Sequence, residues 1–136
     1  MDECVVEIAS WEMQCCGKPF AIGGSVEWYA YKWENNWSPV VDVGEIDYVY
    51  DHHTASDEDL FIIRGVVARI KAVFYDYELA KDRKVYIPVS GKIVDIDSAN
   101  GWNKYADGKV CSSYYVTLHN VTIEPAPQDD ENNPEN

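Results

Sequence analysis

The composition of this 136-residue chain excludes several classes of protein before any motif is considered. Its 24 acidic side chains outnumber 11 basic ones, and a formal net charge of −13 repels phosphate, so we expect no direct nucleic-acid binding. The hydrophobic content of 46% is enough for the core of one ordinary domain, whereas no apolar run approaches the roughly 18 residues that span a bilayer.

The first residues and the cysteines indicate a compartment. The chain starts with "MDEC", which carries acid where a secretory signal carries base, so we expect a cytoplasmic protein with no membrane association. In a reducing cytoplasm the four cysteines are expected to be free thiols or metal ligands and not disulfides. They are Cys4, Cys15, Cys16 and Cys111.

Strand patterns dominate the first part of the chain. The stretch "ECVVEIASW" (3–11) is rich in β-branched residues and predicts a strand, and Gly17 and Pro19 in the following "MQCCGKPF" predict a turn. The alternating stretch "SVEWYAYKW" (25–33) predicts a second strand, paired with the first in a hairpin. Residues 34–44 indicate a loop, and residues 45–53 an amphipathic strand that ends near His52.

The second part also predicts strands. The stretch "LFIIRGVVARIKAVFYDYEL" (60–79) is too rich in β-branched and aromatic residues for a helix, and Gly65 predicts a bend or bulge. Strict alternation along this strand would place Val67 and Ile70 on opposite faces. Further strands are predicted at 84–89, 92–97 and 113–125, with a turn at Asn100-Gly101 before the last of them.

These patterns predict a mostly β protein with a single β domain over residues 1–125 and a disordered acidic tail over 126–136. The tail sequence "APQDDENNPEN" offers no large apolar residue to bury. We predict a small, strongly curved antiparallel barrel of the SH3-like or OB-like kind, because the long strand around Gly65 could serve two sheet edges. A β-sandwich is the alternative fold.

Two adjacent pairs of metal-ligating residues stand out, Cys15 with Cys16 and His52 with His53. Zinc binds thiolate and imidazole readily, so zinc is the one cofactor that the sequence raises. Adjacent ligands diverge in an extended chain, so a complete site would use one of each pair plus a remote Cys or His. In the alternative interpretation, one cysteine packs into the core while the other faces a turn.

Catalysis by a cysteine nucleophile is not expected. Such an enzyme would need Cys15 or Cys16 activated by a histidine, and no local signature of such enzymes is present. We therefore predict a protein that acts by binding.

Aromatic residues with a polar handle are the second unusual feature, with five Trp and ten Tyr against three Phe. Such side chains suit recognition surfaces because each combines an apolar body with a hydrogen-bonding tip. Alternation places Tyr29, Tyr31 and Trp33 on one sheet face, and Trp37 follows shortly after. If exposed, these residues form a predicted binding surface for a peptide, a sugar or a second copy of the chain.

The string "SWEMQCCGKPF", followed by "GGSVEWYA" and a paired histidine, resembles an uncharacterised bacterial family, DUF6578. The matching residues run from Trp11 to the strand that starts at Gly65, about the first half of the chain. The resemblance implies no activity, but it favours one shared site for the cysteines and histidines.

We therefore predict a non-catalytic intracellular binding or interaction module, whose partner is another protein or a second copy. A zinc-binding domain that uses the Cys-Cys and His-His pairs is an alternative. A further alternative is an acidic nucleic-acid mimic that occupies the basic groove of a DNA-binding protein.

Overall fold

The computed structural model describes residues 2–15, 17–32, 44–51, 60–79, 86–104 and 111–126. The predicted mostly β fold is confirmed. The elements in chain order are β1 (Glu3–Ala9), α1 (Ser10–Cys15), β2 (Phe20–Ala21), β3 (Ser25–Lys32), β4 (Tyr48–Tyr50), β5 (Leu60–Leu79), β6 (Tyr86–Ile96), β7 (Ser98–Ala99) and β8 (Ser113–Pro125). No helix in this part of the chain has the length and apolar character to cross a bilayer.

Five strands close into a barrel in the order β3-β4-β1-β8-β5, and β5 returns to β3; β6 is added outside the ring. Strand β5 makes closure possible because it pairs with β8 over residues 61–73 on one edge and with two strands on the other. Its first part, residues 60–66, pairs with β3, and residues 70–79 pair with β6. The predicted small barrel is thus confirmed, with the long strand β5 pairing on both of its edges.

Two register shifts bend β5, one between Arg64 and Val66 and one between Val67 and Arg69. The bulge predicted at Gly65 is confirmed, and a Cβ there would lie 3.1 Å from the backbone oxygen of His119. The second shift reverses the alternation, so Val67 and Ile70 are both buried in the same core. The sequence prediction that placed these two residues on opposite faces was wrong for this reason.

Three local predictions were also wrong. Strand β3 pairs with β5 and β4, not with β1, and the β1–β4 pairing is parallel in an otherwise antiparallel barrel. The strand predicted over 3–11 ends at Ala9, because α1 begins at Ser10, a residue type that favours helix starts; the turn predicted at Gly17 and Pro19 lies between α1 and β2. The strands predicted at 84–89 and 92–97 form one strand, β6, because Pro88 lies beside a register shift, where a missing N–H is tolerated.

Other predictions fall partly or wholly outside the described residues. The strand predicted at 45–53 is found only over Tyr48–Tyr50, and residues 52–59 lie outside the described ranges. Residues 34–43 of the predicted loop and residues 127–136 of the predicted tail also lie outside the described ranges.

The barrel core is built by alternate residues of β1 and β8. Cys4, Val6 and Ile8 of β1 are fully buried, as are Val116 and Leu118 of β8. Each such side chain contributes roughly 1.5–3 kcal/mol by leaving water. Strand β8 is covered on both faces, because its outward Tyr115 packs with Ile46 and Val73 in a second, smaller cluster.

Candidate functional site

The segment that follows β1 is held in place by the turn at Gly101. The Gln14 side-chain amide donates to the Gly101 oxygen at 2.8 Å, and the Gly101 N–H donates to the Tyr114 hydroxyl at 2.9 Å. That buried hydroxyl in turn donates to Asn103 Oδ1 at 2.6 Å. Helix α1 therefore rests against this turn, and the chain leaving α1 enters β2, whose Phe20 pairs with β7.

A cavity of 640 Å³ lies between this segment and β3. Strand β4 pairs with β3 only at residues 30–32, so among the described strands residues 25–28 of β3 have a partner on one edge alone. The cavity adjoins this stretch. Its lining residues are Lys18, Pro19, Phe20, Ala21, Gly24, Ser25, Val26, Glu27, Trp28, Tyr29, Tyr50 and Asp51.

Four of the lining residues are aromatic, and three of them pack edge to face. The ring centroids of Phe20 and Trp28 are 5.1 Å apart at an interplanar angle of 68°, and those of Trp28 and Tyr50 are 6.0 Å apart at 84°. All three of these rings also belong to the barrel core, so they form a rigid inner wall of the cavity. Tyr29, the fourth, is 47% exposed and so remains available at the mouth.

Charged side chains complete the lining. Glu27 accepts from Arg64 Nε at 2.6 Å, and Arg64 also donates to Glu124 Oε1 at 2.7 Å. The hydrogen bonds to Glu124 and Glu27 raise the pKa of Arg64, so this guanidinium remains charged. The Asp51 N–H donates to the Tyr29 oxygen at 3.1 Å, which fixes the position of Asp51 beside β3.

The predicted metal ligands are only partly within the described ranges. Cys15 is exposed, and its thiol donates to the Glu12 oxygen at 3.7 Å. Cys16, His52 and His53 lie outside the described residues. Among the residues that the structure describes, no three metal-ligating side chains cluster. The zinc site therefore stays a prediction.

Cys4 and Cys111, the two cysteines remote from the Cys15–Cys16 pair, are both buried. Burial, with a smaller effect of Asp47, raises the pKa of the Cys4 thiol to about 12. Cys111 packs in the core with its sulfur 3.1 Å from the Ser10 hydroxyl. Because Cys4 is fully buried in the barrel core whereas Cys15 is exposed, Cys4 is poorly placed to share a zinc ion with Cys15.

The predicted aromatic surface overlaps the cavity at one residue. Tyr29 lines the cavity, whereas the half-buried Tyr31 does not. Trp33 and Trp37 lie outside the described residues. Sequence reasoning missed Phe20 and Tyr50 as lining residues, because a buried aromatic ring in a strand is read as core. The cavity exists because β4 is short and pairs only with residues 30–32 of β3. The alternation of apolar and polar residues does not show how short β4 is.

A polar cluster lies on the outer side of β1 and β8, away from the cavity lining. The Tyr115 hydroxyl donates to Glu7 Oε2 at 3.0 Å. Burial raises the pKa of the Glu7 carboxyl, the Tyr115 hydrogen bond opposes this, and nearby Glu12 adds to the rise. The buried Ser113 hydroxyl lies beside Tyr115 in this cluster.

Comparison with known proteins identifies the family and nothing beyond it. The chain matches the model of the family of unknown function DUF6578 over residues 2–120 and therefore belongs to that family. The resemblance noted in the first half of the sequence thus extends through most of β8. No curated protein and no solved structure matches the chain.

Proposed function

We propose that this DUF6578 member is a non-catalytic binding module that accepts a group of a partner protein in the cavity beside β3. The observation that carries the proposal is an aromatic cavity of 640 Å³ at a gap in strand pairing. This volume falls within the range of about 300–1,000 Å³ that is usual for ligand sites. Rigid aromatic walls with a few polar groups at the mouth are typical of such sites.

The proposed setting is the cytoplasm, with a protein as partner. Free thiols at Cys4, Cys15 and Cys111 support a reducing compartment. The net charge of −13 favours partners with a basic surface, because opposite charges steer encounter and like charges suppress it. Binding of a second copy would instead join two acidic surfaces, so a different, basic protein is the better candidate.

The test is a titration of the full chain with two neutral probes, 4-methylphenol and 3,3-dimethylbutan-1-ol, followed by ¹H–¹⁵N NMR of the indole groups. We expect saturable shifts at Trp28, and Tyr29→Ala is expected to weaken 4-methylphenol binding about tenfold, as loss of an aromatic contact typically does. The matched control is Trp102→Ala, which removes an equally exposed ring that does not line the cavity. Shifts confined to Trp102, or none at all, would contradict the proposal.

A zinc-binding role is a second candidate, and one observation favours it. Lys18 and Pro19, just after the cysteine pair, line the same cavity as Tyr50 and Asp51, just before the histidine pair. The two predicted ligand pairs are therefore both attached to segments that meet at this cavity.

Elemental analysis of protein purified without added zinc tests this second role. Stoichiometric zinc is expected in the natural chain. It should be lost both from the double variant Cys15→Ser/Cys16→Ser and from His52→Ala/His53→Ala. Loss from only one of the two variants would argue against a shared site.

A further inference from the structure

The backbone groups of β3 alternate between two edges. On one edge, the Val67 N–H of β5 donates to the Gly24 oxygen at 2.9 Å, just before β3 begins. On the other edge, the Asp51 N–H, just after β4, donates to the Tyr29 oxygen at 3.1 Å. Successive residues of a strand direct their N–H and C=O groups to opposite edges. The odd-numbered residues of β3 therefore direct these groups to the side of β4.

Ser25 and Glu27 direct their N–H and C=O groups to a part of this edge that no described strand covers. Strand β4 stops short of them, because it pairs only with residues 30–32 of β3. Both residues are exposed, and both line the cavity. Backbone donors and acceptors at an open strand edge are a template on which a further strand can pair.

This stretch of β3 lacks the features that usually protect a sheet edge, which are proline, lysine and bulges. Its register with β5 is unbroken from Ser25 to Tyr31. The charged side chain of Glu27 is directed to β5, where it accepts from Arg64 Nε at 2.6 Å. Strand β6 also has one edge that no other described strand pairs, but it carries Pro88, Lys92 and a register shift. Of these two edges, that of β3 is the one suited to a further strand.

Resting on the proposed function, we infer that the partner protein binds through an extended segment, which adds to the open edge of β3 as a strand. Another extended backbone, about 4.8 Å away, is the group that matches alternating N–H and C=O groups along an edge. Its side chains alternate, so one set points inward beside the half-buried Val26 and the other outward beside the exposed Tyr29. A second copy would bring a further net charge of −13 to this edge, so a different protein is the better occupant.

The central test uses the neutral peptide acetyl-Thr-Val-Thr-Val-Thr-amide and two forms of it, one N-methylated at both valines and one at the last two threonines. Because a strand pairs through alternate residues, the two forms lose N–H groups from opposite edges. Binding to the full chain is followed by ¹H–¹⁵N NMR at the Ser25 and Glu27 amides, which should shift and become protected from hydrogen exchange. One methylated form should bind at least about tenfold more weakly than the other, since it loses two hydrogen bonds. Equal affinities, or shifts that spare both amides, overturn the inference.

A variant of the chain tests the same edge from the other side. Ser25→Pro removes an N–H that faces the added strand and not β5, so the pairing of β3 with β5 keeps its hydrogen bonds. Peptide binding should weaken about threefold to tenfold, the effect of one lost hydrogen bond. The matched control, Ser25→Ala, keeps the N–H and should bind as the natural chain does. Equal binding by the two variants contradicts the inference, and the methylated peptides test it on the natural chain even if Ser25→Pro does not fold.

Two further outcomes separate the occupants and the two levels of the proposal. If the Ser25 and Glu27 amides become protected as protein concentration rises without peptide, the occupant is a second copy and the assignment to a different protein is wrong. If no form of the peptide binds while 4-methylphenol still shifts Trp28, strand addition is wrong and the proposed binding function stands. If neither the peptide nor 4-methylphenol binds, both are wrong.

Discussion

Replacement of Gly101 by alanine should destabilise the protein more than replacement of any glycine with free space around it. Gly101 has φ of +91°, a conformation that costs an alanine about 1–2 kcal/mol. A Cβ there would also lie 2.9 Å from the Gln14 nitrogen and 2.9 Å from Met13 Cβ. Relieving such overpacking typically costs about 1–3 kcal/mol more, because the backbone of α1 must move. The expected total loss is about 2–5 kcal/mol in the free energy of unfolding.

Gly23→Ala is the matched control. Gly23 has φ of +90°, almost the same as Gly101, but nothing lies within 4 Å of the position its Cβ would take. The backbone cost and the effect of alanine on the unfolded chain are therefore nearly the same in both variants, and they cancel in the comparison. Gly23→Ala should lose only about 1 kcal/mol.

The assay is urea denaturation at 25 °C, followed by tryptophan fluorescence, on the natural chain and both variants. The difference between the two variants measures the steric contact between the Gly101 turn and α1 alone. We expect that difference to be at least about 1 kcal/mol. If both variants lose the same free energy of unfolding, α1 does not pack on this turn as described. The placement of Phe20 beside the cavity would then also be wrong.

Three further predictions concern buried groups elsewhere. Cys15 should react with iodoacetamide in the folded protein, whereas Cys4 should react only after unfolding, because it is fully buried and its pKa is raised to about 12. Glu7→Gln should be more stable than the natural chain at pH 8 but not at pH 4. The pKa of the Glu7 carboxyl is raised above its ordinary value of 4.5 in the folded protein, so Glu7 contributes stability below pH 4.5. That contribution is lost as the pH rises through the folded-state pKa. Tyr114→Phe should cost about 1–3 kcal/mol in urea denaturation, because the buried Gly101 N–H loses its acceptor.

Each of these has a result that would count against it. Peptide mass spectrometry that finds Cys4 alkylated as fast as Cys15 would contradict the burial of β1. If thermal melts show that Glu7→Gln raises the melting temperature most at low pH, the direction of the Glu7 pKa shift is wrong. Tyr29→Phe is the control for Tyr114→Phe, since the half-exposed Tyr29 should change stability by no more than about 0.5 kcal/mol.

The sequence carried the information for strands and bends but not for which strands pair. Strand β8 spans the predicted residues 113–125, and the bulge lies at the predicted Gly65, because β-branched runs and an isolated glycine act locally. The partner of β3 depends on how the whole barrel closes, so no local pattern distinguished β5 from β1. The same limit applies to Val67, whose inward orientation follows from a second register shift that no glycine marks.

Of the residues that line the cavity, only Tyr29 was predicted from the sequence as a candidate binding residue. The concentration of aromatic residues around Trp28 suggested recognition, but alternation left open whether the face of Tyr29 is exposed or part of the core; in the structure Tyr29 is 47% exposed. Phe20, Tyr50 and Asp51 come from segments far apart in the chain, and only the pairing of β3 with β4 and of β2 with β7 brings them together. Alternation assigns each residue to a face, but it cannot show that a three-residue strand leaves an opening.

The most direct test of the binding role is the shift of the Trp28 indole resonance when 4-methylphenol is titrated into the full chain. The account predicts a saturable shift of Trp28, with the indole of the exposed Trp102 unchanged at the same concentrations. A Trp28 resonance that stays fixed while 4-methylphenol is raised to roughly 50 mM, enough to detect even a weak site, would contradict the binding role.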